Sequence, residues 1–160
     1  MRQETIIRTL YRFEELNEDA KEKAREWFRT DFDFSWSDES LESIKTFCAA
    51  FDVTLRDWSV GPYQHNFYKT NATPENFRGR KLRDFNRDHM PTGYCLDCDL
   101  WQTFYDEFKK TGDAKHAFEK ALNAGFKAWR DDMEYQLSDE AIDETIIMNE
   151  YEFTENGKIA

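Results

Sequence analysis

Apolar side chains recur at helical spacing in five stretches of the chain. Within each stretch they return every three or four residues, which places them on one face of an α-helix. The five stripes are Ala20, Ala24, Trp27 and Phe28; Leu41, Ile44, Cys48 and Phe51; Leu100, Trp101, Phe104, Tyr105 and Phe108; Phe118, Leu122, Phe126, Trp129, Met133 and Leu137; and Ala141, Ile142 and Ile146. Residues that commonly cap helices precede four of them: Asn17, Ser35 or Ser37, Asp113 and Ser138.

Four other stretches have the composition of β-strands. Residues 5–13 are rich in β-branched and aromatic side chains, and residues 151–154 repeat that character near the other end. Residues 53–60 and 64–70 flank the breaker Gly61-Pro62 and predict a hairpin. We therefore expect one α+β domain spanning residues 1–160. It should contain a small, mainly antiparallel sheet of about four strands, packed by about five helices, with the N- and C-terminal strands paired.

The charge balance limits which partners the protein can have. The chain holds 33 Asp and Glu against 22 Lys and Arg, a formal net charge of −11 at pH 7. Free nucleic acid is a poor partner for such a chain, because phosphate binding requires clustered cations. Anionic membranes are disfavoured for the same reason, and no apolar run is long enough to span a bilayer. A basic protein or nucleoprotein complex is the partner that this charge favours.

The acidic residues concentrate toward the C-terminus. Residues 131–157 contain no Lys or Arg, and the side chains singled out there as partner-binding are Asp131, Asp132, Glu134, Asp139, Glu140, Asp143 and Glu144. Cations cluster instead in residues 69–87, as Lys69, Arg78, Arg80, Lys81, Arg83 and Arg87. One interpretation is a solvated helix face that the basic segment neutralises internally. The other is an acidic face that occupies a basic, nucleic-acid-binding groove on a partner, with carboxylates spaced as phosphates are.

Two aromatic residues of the predicted hairpin, Trp58 and Tyr63, are candidates for an exposed contact surface. Interface hot spots are enriched in Trp and Tyr. The alternative interpretation is that these rings pack on the sheet, as large aromatic side chains commonly do.

Few residues suggest catalysis. Cys95 and Cys98 form a CxxC that would need further ligands, His89 among them, to hold a metal ion. A small metal-dependent enzyme is therefore one hypothesis. The sequence has no nucleotide-binding or nucleophile-elbow motif, so we expect no catalytic residues and no cofactor. Three cysteines do not all pair within one chain, and the charged residues 1–13 are unlike a signal peptide, so we expect a cytoplasmic protein.

The two ends of the chain resemble those of a known group of proteins. YRFEELNEDAKEKAREWFR (residues 11–29) and SDEAIDETIIMNEYEFTENGKIA (residues 138–160) are similar to the ends of small acidic proteins encoded by bacteriophages and prophages. Some of those proteins carry the label of an antitoxin from a toxin–antitoxin stability system. The resemblance implies a mobile-element origin and a host cytoplasm. It favours an inhibitor of a host defence complex, of the anti-CRISPR kind, with an antitoxin that neutralises a toxin enzyme as the alternative.

Overall fold

The computed structural model describes residues 1–85 and 90–160. The chain divides into two compact units. The terminal unit combines Met1–Asp33 with Tyr135–Ala160, and the central unit is Phe34–Glu134. The expectation of a single domain over residues 1–160 stays a prediction.

The described residues form an α+β fold with five α-helices, as predicted. In chain order the elements are β1 (Tyr11–Arg12), α1 (Glu18–Arg29), α2 (Ser37–Ala49), β2 (Leu55–Ser59), β3 (Phe67–Thr70), α3 (Leu96–Thr111), α4 (Ala114–Gln136), α5 (Asp139–Met148) and β4 (Glu152–Phe153). Short 3-10 turns lie at Phe13–Glu15, Pro74–Asn76 and Leu82–Asp84. No helix within the described ranges is both long and apolar enough to cross a bilayer.

Two predicted caps fix the helices of the terminal unit. The Asn17 side chain accepts a hydrogen bond from the Ala20 backbone N–H at 2.8 Å, and α1 begins at the next residue, Glu18. The Ser138 side chain does the same for α5 by accepting from the N–H of Ala141 at 3.2 Å. The unit's buried core consists of Phe13, Leu16, Ala20, Ala24, Ile142, Ile146 and Phe153.

The prediction of one four-stranded sheet is wrong. The four strands form two separate antiparallel pairs, β1 with β4 and β2 with β3. The predicted pairing of the two chain ends is confirmed, since Tyr11 pairs with Phe153 and Arg12 with Glu152. However, β1 has two residues, whereas the sequence predicted a strand over residues 5–13.

A turn after β4 explains why β1 is so short. The antiparallel register would continue from Phe153 into Thr154 and Glu155 opposite residues 10 and 9. Instead the Thr154 N–H donates to the Lys158 carbonyl at 2.8 Å, and the chain folds back so that Ile159 bridges Phe153. Consequently β4 has no further residues to pair with residues 5–10, and sterically suitable side chains alone do not make a strand.

Aromatic rings dominate the core of the central unit. Phe51 lies near its centre, with ring centroids of Phe118 at 4.9 Å and Phe104 at 5.0 Å. The predicted hairpin is confirmed as β2 and β3. Contrary to the sequence prediction, neither Ser35 nor Ser37 occupies the N-cap position of α2; Trp36 takes that position, with a left-handed backbone (φ 69°) and no cap hydrogen bond from its own side chain.

Candidate functional site

Helices α1 and α5 pack together and carry eight of the terminal unit's 16 acidic side chains, four on each helix, and α5 carries no Lys or Arg. Small residues Ala20 and Ala24 of α1 and the branched Ile142 and Ile146 of α5 belong to the same buried cluster. Each helix has two acidic residues in its first turn, where the helix dipole favours negative charge. We call α1 and α5 the acidic helix pair.

Two of the predicted partner-binding carboxylates form ion pairs inside this unit. Asp143 accepts hydrogen bonds from Arg25 Nε at 2.6 Å and Nη2 at 2.7 Å. Hydrogen bonding to Asp143 raises the pKa of the Arg25 guanidinium above its ordinary value, against the opposing effect of burial. Asp139 accepts a short hydrogen bond from Arg29 Nη2. Glu22 lies within 3.6 Å of both guanidinium groups. Asp139 and Asp143 therefore fasten α5 to α1.

Two other carboxylates of α5 are available to a partner. Glu140 and Glu144 are exposed, and no ion pair among the described residues reaches either of them. They lie four positions apart, so their side chains are neighbours along one face of the helix. The terminal unit as a whole carries 16 Asp and Glu against eight Lys and Arg, which is −8 of the chain's −11. The acidic surplus thus belongs chiefly to this unit.

The other three predicted acids lie in the central unit, near the end of α4. Asp131 pairs with Lys127 at 2.6 Å. Glu134 lies 3.9 Å from Arg130 Nε and accepts the Tyr63 backbone N–H at 2.8 Å. The seven acids are therefore divided between the units: Asp131, Asp132 and Glu134 in the central unit, and Asp139, Glu140, Asp143 and Glu144 in the terminal unit.

The two predicted aromatic contacts differ in exposure. Trp58 is half-buried against the central core, and Lys45 Nζ lies 5.2 Å from its ring centroid. Tyr63 is 76% exposed and has a left-handed backbone, with φ 59°. Of the two, Tyr63 is the side chain that a partner can reach directly.

The terminal unit also has an aromatic groove that the sequence did not predict. The rings of Trp27 and Tyr151 meet edge to face, with centroids 5.4 Å apart, and both side chains are exposed. Beside Trp27 lies a groove of about 500 Å³. Its lining is Lys23, Glu26, Trp27, Thr30, Asn156, Gly157, Lys158 and Ile159. Trp27 stood at the edge of an apolar stripe, but nothing in the sequence showed that Tyr151 and the chain end would flank it.

The basic segment does not neutralise the predicted acids through any ion pair among the described residues. Arg78 pairs with Glu75 at 2.8 Å, and Arg80 pairs with Asp52 at 3.2 Å. Arg87, the last cation of this segment, lies outside the described residues. Within residues 1–85 and 90–160, the cations that pair with predicted acids include the terminal unit's Arg25 and Arg29 and the central unit's Lys127 and Arg130.

The cysteines have contrasting environments. Cys95 and Cys98 are exposed at the start of α3, whereas Cys48 is fully buried in the central core. Burial raises the pKa of the Cys48 thiol to about 12, because the thiolate would lose its hydration. His89, the proposed third metal ligand, lies outside the described residues. Within residues 1–85 and 90–160, no group of three or more His, Cys, Asp or Glu side chains is placed to hold a metal ion.

Compared with known proteins, the chain matches no family model, no curated protein and no solved structure.

Proposed function

We propose that this protein acts by binding a basic, nucleic-acid-binding surface of another macromolecule through the acidic helix pair of its terminal unit. The observation that carries the proposal is the net charge of −8 on a unit of two helices and one short strand pair. Such a surface attracts an oppositely charged groove over distances of about a Debye length, ~8–10 Å at physiological salt.

Glu140 and Glu144 are the residues that best fit this role. They are exposed, they lie on one helix face, and they are not engaged with Arg25 or Arg29. Asp139 and Asp143 contribute negative potential but also hold the helices together. Glu140 and Glu144 suit partner binding better, because a carboxylate already paired with a guanidinium attracts a second cation more weakly.

The Trp27 groove supplies the apolar contact that charge alone lacks. Electrostatic complementarity mainly sets association rate and specificity, whereas desolvated aromatic anchors provide much of the affinity. Trp27 is already held by Tyr151 and Phe153, at 5.4 and 6.0 Å between centroids, so little side-chain entropy is lost when a partner covers it.

The biological role that follows is inhibition. A protein that occupies a groove built for nucleic acid excludes the nucleic acid by competition. We propose a host defence complex in the cytoplasm as the target, in keeping with the phage or prophage origin that the chain ends predict. The same binding mode would serve an antitoxin that blocks a toxin enzyme acting on nucleic acid, and the captured partner distinguishes the two roles.

The test is affinity capture from host lysate with matched charge variants. The test variant carries Glu140→Lys and Glu144→Lys. The control carries Asp106→Lys and Glu119→Lys, two exposed helix carboxylates of the central unit that form no ion pair with a described residue. Both variants change the net charge equally, and circular dichroism verifies that both remain folded.

We expect the parent and the control to capture the same partner, identified by mass spectrometry, and the test variant to lose it. Equal capture by all three proteins would refute the role of the acidic helix pair. A toxin among the captured proteins would favour the antitoxin role, and a nucleoprotein defence complex would favour the inhibitor role.

A further inference from the structure

The N-terminal tail, residues 1–10, exposes four apolar side chains and lies outside every helix and strand. Every residue of it is exposed. Ile6 is 68% and Ile7 90% exposed, and Leu10 is exposed as well. Exposed β-branched residues in a segment that leads directly into a strand are typical of a strand whose pairing partner is missing.

The missing partner is not elsewhere in the terminal unit. Among the described residues β1 pairs with β4 alone, and the Arg12 backbone N–H, which β4 does not use, donates to the Glu15 carboxylate at 2.6 Å. Beyond Phe153 the chain turns back through Thr154–Lys158, so it does not follow the tail. On its far edge β4 is covered by the chain end, where the Ala160 N–H donates to the Glu152 carbonyl at 3.0 Å. The open edge is therefore the tail as far as Tyr11, since the Glu15 side chain already accepts the N–H of Arg12.

We propose that two copies of this chain pair through this edge, with the tail and Tyr11 of one copy lying antiparallel to the same segment of the other. A symmetric antiparallel pair has its twofold axis perpendicular to the strands, so one residue faces its own copy at the centre. Side-chain complementarity selects which residue that is.

Thr9 is the centre that the side chains favour. With Thr9 opposite Thr9, Ile7 lies opposite Tyr11 and Arg8 opposite Leu10. An aromatic ring opposite a β-branched residue is a stabilising cross-strand pair, and this register puts no like charges directly opposite each other.

The neighbouring centres are worse because both oppose arginines. A centre at Arg8 places that residue opposite itself, and a centre at Leu10 places Arg8 opposite Arg12. Directly opposed like charges destabilise a strand pair. The Thr9 register also continues an existing surface, since Tyr11 already packs against the terminal unit's core and Ile7 of the second copy would lie beside it.

Sedimentation of the purified chain tests the proposal, with Ile7→Lys as the disrupting variant. Ile7 is 90% exposed in the single chain, so the substitution leaves the fold intact. Met148→Lys, at another exposed apolar residue of the same unit, is the matched control. We expect a dimer in the parent and the control, and a dissociation constant at least about tenfold higher for Ile7→Lys. A chain that stays monomeric throughout, or a dimer that Ile7→Lys leaves unchanged, would overturn the proposal.

Cross-linking tests the register itself. In a background where Cys95 and Cys98 are replaced by Ser, Thr9→Cys should form an intermolecular disulfide rapidly, because the two thiols face each other. Arg8→Cys places the thiols diagonally and should react much more slowly. Equal rates would contradict the Thr9-centred pairing.

The salt dependence of the dimer is a separate check. Added salt screens the repulsion between the two acidic terminal units, so it should tighten the dimer, whereas it should weaken the complex with a basic partner.

Discussion

Removing the Asp143 carboxylate should destabilise the terminal unit even though the residue lies on an acidic surface. The Asp143→Ala variant loses two charge-assisted hydrogen bonds to Arg25, at 2.6 and 2.7 Å. The Arg25 side chain is 13% exposed and that of Asp143 27%, so water replaces the lost partner incompletely. Breaking a fully buried pair costs about 3–5 kcal/mol. Glu22 stays 3.3 Å from Arg25, so we expect the lower figure of about 2 kcal/mol that charged hydrogen bonds typically contribute.

The neighbouring residue provides the control. Glu144→Ala removes an exposed carboxylate without an ion pair among the described residues, and it should change stability by less than about 0.5 kcal/mol. Urea unfolding followed by circular dichroism gives the midpoints. Amide hydrogen exchange on α5 localises the effect, since about 2 kcal/mol corresponds to roughly 30-fold faster exchange from the opened unit.

Two outcomes would refute this reasoning. In the first, Asp143→Ala is no more destabilising than Glu144→Ala, which would mean that the Arg25 pair contributes nothing. In the second, the double variant Arg25→Met with Asp143→Leu is as unstable as Asp143→Ala. Apolar replacement of both partners avoids an unpaired buried charge, so that double variant should recover most of the loss.

Two further predictions concern other parts of the fold. Gly157→Ala should destabilise the terminal unit by about 2–3 kcal/mol, because φ is +85° and an added Cβ would lie 2.0 Å from a carbonyl oxygen of α1. Gly112→Ala, also at positive φ but in open space, should cost only about 1 kcal/mol, and urea midpoints compare the two. A thiol reagent should modify Cys95 and Cys98 in the native protein and Cys48 only after unfolding, because that thiol is buried with its pKa raised to about 12. Fast reaction of all three native thiols would contradict the core packing.

Local signals predicted the helices well and the sheet poorly. Asn17 and Ser138 correctly predicted where α1 and α5 begin, because a capping side chain bonds to a backbone N–H only three residues away. The strand predicted over residues 5–13 was wrong for most of its length because a strand needs a partner, and the turn after Phe153 removes it. The sequence could show that residues 5–10 suit a strand but not what they would pair with.

The sequence predicted the negative charge of the candidate site but not the ion pairs within it. The sequence located the predicted acids correctly, because a stretch without Lys or Arg is visible in the sequence itself. Arg25 and Asp143 are 118 positions apart, and no spacing rule connects them. For that reason the sequence alone does not distinguish Asp143 from Glu144, whereas the structure separates a residue that stabilises the helix pair from one that a partner can reach. The groove at Trp27 is a product of tertiary packing in the same way.

Competition with nucleic acid tests the central claim most directly. The captured partner, with its own nucleic acid bound, is titrated with this protein while the bound fraction of nucleic acid is followed by fluorescence anisotropy. We predict complete displacement by the parent and by Asp106→Lys with Glu119→Lys, displacement that weakens as salt rises, and little displacement by Glu140→Lys with Glu144→Lys. A stable ternary complex, with the nucleic acid still bound at saturating protein, would contradict the account.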